Sequence, residues 1–394
     1  MTPSTQARPR WVVLAALVMV ALNLRIALSS VPAVVADIQA STGWSSAAIG
    51  LLTTIPVLCM GAFALVVPRI AQRIGRRHTV ALALLVLTVA LASRVAATVP
   101  GVLPLSAFAA GVGIALAGGL VPSVVREQLP RNVGMATGLW TAAMMTGAAL
   151  GGALTVPLAE ALDSWPKALA VWAIPAGIAL VVWWLVEAGH EARTIAAGAT
   201  VRVRELPWRD RRAWSLTAYL TLNSVVFYTA LAWLAPSYVD QGWSQAEAGL
   251  LFGVFTASQV VAALFMPALA ERFPARRLLY AASIVVVLAC VLAIGWVPST
   301  QTVFVVVLFG AALGGGFAMG LALLSEYGTD GASSARLTAM AFFVTYLLGA
   351  LGPLVAGALL DRFASWQAVY ALLALACLAQ LLTVPALRRK VQIG

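Results

Sequence analysis

The sequence predicts an all-α polytopic membrane protein, with twelve transmembrane helices in two pseudo-symmetric six-helix bundles. Three observations carry that prediction. Apolar segments of about 20 residues recur along the whole chain, the length an α-helix needs to cross a hydrocarbon core of about 30 Å. The chain is 62% hydrophobic and 10% charged over 394 residues, more apolar surface than a water-soluble fold can cover. The second half also repeats patterns of the first. Gly43-Trp44-Ser45 matches Gly242-Trp243-Ser244, Gly50-Leu51-Leu52 matches Gly249-Leu250-Leu251, and Pro68 and Arg73 match Pro267 and Arg272, all at an offset of 199. Ser164-Trp165 matches Ser365-Trp366 at 201, and Leu22-Asn23 matches Leu222-Asn223 at 200. Halves repeated in this way imply a central cavity between two bundles. Alternating ten-residue strand patterns are absent, which argues against a transmembrane β-barrel.

The recurring apolar segments place the helices in order. The first six helices are expected at 11–36, 46–68, 79–98, 101–125, 134–158 and 167–187. The second six are expected at 213–239, 245–268, 278–297, 301–325, 336–360 and 366–386. The longest polar stretch, 188–212, divides an N-terminal bundle (1–187) from a C-terminal bundle (213–394).

Of the 25 lysines and arginines, 21 fall on one side of this arrangement, only Lys167 and Arg362 on the other, and Arg25 and Arg94 within the membrane. By the positive-inside rule, both termini are cytoplasmic and the protein sits in a bacterial inner membrane. The first apolar run reaches Ala36, too long for a cleaved signal peptide, so a retained helix is expected. The net charge of +11 is spread in short clusters between apolar segments, a topology signal rather than a nucleic-acid footprint. Cys59, Cys290 and Cys377 all lie inside apolar segments without metal-ligand spacing, so neither a metal nor a disulfide framework is expected. No cofactor motif is present: Gly111-Val112-Gly113 with Gly118-Gly119 has the wrong spacing and no preceding strand for a dinucleotide fingerprint. The glycine pairs Gly147/Gly151, Gly310/Gly314 and Gly316/Gly320 read instead as close helix packing. No nucleophile, base and acid constellation marks an enzyme.

Arg25 is the most informative residue. It lies about 14 residues into the first helix, roughly 21 Å along a roughly 30 Å core. A charge there costs roughly 2.5–3.5 kcal/mol on insertion scales. Its forked donors suit an anion; the alternative is a structural donor to backbone or a neighbouring helix. Arg94 is read at a similar depth in the third helix, able to join Arg25, to stand apart or to snorkel outward. Asn23 and Asn223, at duplicate positions, serve either a solute or interhelical hydrogen bonding. Tyr228, Gln259 and Tyr346 are polar handles within helices 7, 8 and 11 that reach a cavity or pack. Trp140 in helix 5 lines the cavity or anchors the helix at the interface. All 14 acids lie toward helix ends. Two mid-membrane cations without a mid-membrane carboxylate point to a path for a small anionic or polar solute, and argue against a carboxylate proton relay.

Pro68-Arg69-Ile70-Ala71-Gln72-Arg73-Ile74-Gly75-Arg76-Arg77 resembles the loop G-x-x-x-D-R-x-G-R-[RK] between helices two and three of the major facilitator superfamily. Pro68 replaces the first glycine and Gln72 the acid. The second-half loop keeps an acid, Glu271, before Arg272. The resemblance implies a transporter working by alternating access, with Gln72, Arg73, Arg76, Arg77, Glu271 and Arg272 in gating loops. The missing acid at Gln72 argues against the usual first-half gating ion pair. Asn23-Leu24-Arg25, the segment Gly50 to Leu58 and Arg94 are similar to the cyanate and 2-nitroimidazole transporter group of that superfamily. This implies a small-molecule substrate, a cyanate-like anion on one reading and a neutral polar heteroaromatic on the other. The expected partners are that solute and the lipid bilayer, for a monomer that binds no nucleic acid.

Overall fold

A computed structural model describes residues 10–64, 66–120, 133–186, 205–273, 275–297, 301–327 and 331–387. Among these residues there is no strand. Eleven helices are long and apolar enough to cross a membrane, and the shorter apolar helix Val102–Gly118 occupies the place of the fourth span. The first six expected spans are α1 (Arg10–Ala33) with its continuation α2 (Val35–Thr42), α3 (Ser46–Ala64), α5 (Arg76–Ser93), α6 (Val102–Gly118), α7 (Val133–Ala161), and α8 (Trp165–Val171) with α9 (Ala173–Val186). The second six are α10 (Arg211–Val239), α11 (Gln245–Arg272), α12 (Arg276–Trp296), α13 (Thr302–Tyr327), α14 (Gly331–Gly349) with α15 (Leu351–Phe363), and α16 (Trp366–Leu381). Residues 188–204 of the expected linker 188–212 lie outside the described residues. At the linker's described end, Asp210 caps α10 by accepting from the backbone N–H of Arg212 and Ala213, which starts that helix two residues before the expected 213.

Three details depart from the sequence expectation, each for a local reason. The sixth span breaks at Trp172, because Pro175 has no N–H to give the Val171 carbonyl. The eleventh breaks at Ala350, because Pro353 likewise leaves the Gly349 carbonyl without its helical donor. The expected loop after the second span is itself helical, α4 (Val67–Ile74), closed by Gly75 at φ 81, a left-handed value that favours glycine.

Helix packing sets where a cavity can form. α1 lies along α7, α3 along α6 and α15, and α11 along α7 and α13. The expected glycine contacts are present. A side chain at Gly147 would meet the Leu22 backbone and one at Gly151 would meet Ile26, so α7 approaches α1 at backbone distance. An even number of crossings puts Arg10 and Leu387 on one side, here the terminal side. At the opposite side the first six spans meet the last six. Asp361 of α15 accepts from the N–H of Ser46 at 2.7 Å and of Ala47 at 2.8 Å, at the start of α3. One and two turns deeper along α3, the bare Cα of Gly50 sits against the Pro353 carbonyl, and Thr54 Oγ1 donates to Ala350 O at 2.7 Å. At the α7–α11 contact, Gly249 faces the Gly152 backbone.

Candidate functional site

A cavity of about 570 Å³ lies between α1, α7, α10, α11, α13 and α14. Helical spacing assembles its wall. On α10, Asn223 and Phe227 lie one turn apart, as do Ser224 and Tyr228; on α14, Phe342 and Tyr346 do the same. Their rings stack at 5.5 Å between centroids. α11 contributes Gln259, α7 contributes Trp140 and Met144, and α13 contributes Phe317.

Arg25 enters this wall from α1. The residue is 8% exposed, its guanidinium lies 5.5 Å from the centroid of the Phe227 ring, and it interacts with the Tyr228 hydroxyl. Its Nε and Nη1 are buried with no hydrogen-bond partner among the described residues. Gln259 Nε2 is buried and unpartnered in the same way. Among the described residues that line it, none is acidic. The cavity therefore offers spare N–H donors, one full positive charge and aromatic faces. That arrangement attracts an anion or an acceptor-rich solute. Leaving such donors dry and unmet is costly, so solvent or a solute must meet them.

Of the residues singled out in sequence, Arg25, Trp140, Asn223, Tyr228, Gln259 and Tyr346 converge on this one cavity. Asn223 also donates from Nδ2 to Leu313 O at 3.3 Å, tying α10 to α13. Asn23 and Arg94 do not line the cavity. Asn23 donates to Met19 O and to Pro175 O, bridging α1 to α9. Arg94 is not mid-helix: it begins a short 3-10 turn, 94–96, beyond the end of α5. It is 1% exposed, and its guanidinium donates to Ala27 O, Ser30 Oγ and Ser106 Oγ, with donor–acceptor distances of 3.2–3.4 Å. These bonds join α1, α6 and the end of the third span, so the two arginines do not share one site. The sequence reading missed Phe227, Phe342 and Met144. The signal was present, because each lies four residues from a residue it did name.

In the expected gating loops, Gln72, Arg73, Glu271 and Arg272 are exposed, and Arg76 and Arg77 half-buried. Glu271 forms no ion pair among the described residues. The pair in this part of the second half is Arg276 with Glu326, at 2.8 Å, joining the start of α12 to the end of α13.

A duplicated bundle of membrane-crossing helices around a central, cation-lined cavity defines a polytopic membrane transporter. Comparison with known proteins makes the assignment specific. The Major Facilitator Superfamily profile matches residues 13–246 and 234–391, and the chain belongs to that family. It is 32% identical to the cyanate transport protein CynX of Escherichia coli (strain K12), over 87% of this chain and 88% of that one. It is 29% identical to the 2-nitroimidazole transporter of the same organism, over 92% of each. In fold it resembles a bacterial homolog of the human lysosomal transporter Spinster, with a TM-score of 0.73 at 17% identity, covering 96% of this chain and 94% of that one.

Proposed function

We propose that this transporter moves a small anionic or polar solute, cyanate-like in size and charge, across the bacterial inner membrane by alternating access. In this reading Arg25 neutralises the anion. Asn223, Tyr228 and Gln259 orient it by hydrogen bonds, and the aromatic wall replaces its water. Two rigid units, 1–187 and 213–394, rock about the cavity, joined by the linker 188–212, with both termini cytoplasmic. The observation that carries this is the Arg25 guanidinium, buried and short of partners among the described residues, at a cavity whose described lining holds no carboxylate. The cyanate transport protein among its relatives supports the choice of solute class.

The test is uptake of radiolabelled cyanate into vesicles containing purified protein. Arg25→Ala is expected to abolish uptake while leaving folded protein, and Arg25→Lys to keep part of it, since an ammonium supplies charge without the fork. Undiminished uptake in a well-folded Arg25→Ala variant refutes the anion site.

A second reading has support of its own. The cavity is far larger than a triatomic ion needs, its wall is rich in aromatic rings, and one relative is a 2-nitroimidazole transporter. Export of a neutral polar heteroaromatic would use those rings for stacking and the free donors for a nitro group. Resistance conferred on a sensitive host, unaffected by excess inorganic anion, would favour it.

A further inference from the structure

A second concavity, sharing no lining residue with the central cavity, lies between the third and sixth spans. It is a groove of about 480 Å³ between α5 and α9, lined by Ala81, Leu82, Leu85, Leu180, Val181 and Leu185 with His78 and Trp184 at its head. The head faces the terminal side, where α5 begins and α9 ends. Arg77 is fixed there. Its guanidinium lies 4.2 Å from the centroid of the Trp184 ring and donates from Nη2 to Trp184 O at 3.3 Å. Trp183 Nε1 in turn donates to Arg77 O at 3.2 Å. The Arg77 Nε is buried and has no hydrogen-bond partner among the described residues. The His78 ring meets Trp184 edge-on at 5.6 Å.

Three features coincide at the head. The segment 68–77 carries four arginines and no acid. α5 opens with no side-chain cap, so its first backbone N–H groups and the positive end of its dipole point the same way. The arginine beside them is held by stacking rather than left to wander. Below lies the apolar groove, lined by leucine, valine and alanine side chains. Bilayer hydrocarbon would fill any such groove; a fixed cation at its headgroup end selects which lipid does so.

We propose that the α5–α9 groove binds an anionic phospholipid, with an acyl chain along Leu82, Leu85 and Val181 and the phosphate at Arg77 and His78. The bound lipid pins the third span to the sixth, beside the α4 segment that leads into α5.

The test is native mass spectrometry of the purified full-length protein. Phosphatidylglycerol is compared with phosphatidylcholine of the same acyl chains. Wild type is expected to retain phosphatidylglycerol preferentially. Arg77→Gln is expected to lose about fivefold of that retention, the worth of roughly one arginine near a headgroup. Because this change also removes the Trp184 contact, Leu85→Trp is measured beside it: it fills the groove and leaves the charge in place, and it too should lose the lipid. Equal retention of the two lipids by wild type, full retention by either variant, or displacement by equimolar inorganic phosphate would each overturn the proposal.

Discussion

Arg25 and Arg94 look alike in sequence and differ in what meets them. Arg94 has protein acceptors from two other helices; Arg25 has an aromatic face, a tyrosine hydroxyl and spare donors. Opposite stability effects follow. Arg94→Ala strands three acceptors and opens a void, and should cost about 2–5 kcal/mol, read as a lower melting temperature in detergent and lower yield. Arg25→Met removes an unmet buried charge and should leave the melting temperature unchanged or higher while transport fails. A marked fall in melting temperature for Arg25→Met would make Arg25 structural. Asp37 adds a pH dependence. Burial raises its pKa from the ordinary 3.8, a hydrogen bond with Gln245 opposes that shift, and Glu160 adds to it. The Asp240 and Asp361 carboxylates stand at the same end of the molecule. A raised carboxyl pKa means the present packing holds the proton more readily than an exposed Asp37 would. The packed arrangement is therefore penalised at neutral pH, and the penalty is lost as pH falls toward the ordinary carboxylate range. Acidification should close this side further. Spin-label distances across it, taken at neutral and mildly acidic pH, check this, and Asp37→Asn should weaken the dependence.

At the level of elements, the decisive contact is the α15 carboxylate on the α3 N-terminus. Two charge-assisted bonds to otherwise free N–H groups, aligned with the helix dipole, are worth about 1–2 kcal/mol. Asp361→Ala should therefore shift the ratio of closed to open molecules on this side by roughly five- to thirtyfold. Spin labels at Ser45→Cys and Arg362→Cys, both exposed positions, would show the added long-distance population; an unchanged distribution would leave Asp361 a bystander. Gly50→Val acts on the same contact by steric exclusion, since any side chain there meets the Pro353 backbone. The sequence held a partial key to this. The offset of 201 that pairs Ser164 with Ser365 also pairs Glu160 with Asp361 and Gly152 with Pro353, while 199 pairs Gly50 with Gly249. In three dimensions Gly50 meets Pro353 and Gly249 meets Gly152, so residues matched by the repeat make matched contacts across the molecule. The offsets alone state equivalence; they do not state contact.

For the whole molecule, the alternating access proposed above requires the α3–α15 and α7–α11 contacts to part without unfolding either set of six spans. A disulfide placed across the seam tests this directly. With the buried Cys59, Cys290 and Cys377 replaced, Ser46→Cys with Asp361→Cys should abolish transport when oxidised and recover it on reduction. Transport by the oxidised form would rule out parting at this seam.

The sequence by itself determined the membrane class, the twelve spans, the duplication and the anomaly at Arg25. Each of these rests on a property read along one dimension: apolar length against bilayer thickness, charge placed within an apolar run, identity at a fixed offset. Only the tertiary structure decided that Arg94 belongs to the framework, that Asp361 clasps α3, and that six of the eight residues named for solute binding share one wall. The reason is that satisfaction of a buried polar group depends on neighbours remote in sequence. Ser30 and Ser106 meet Arg94, and Ser46 meets Asp361, only because helix packing brings them there.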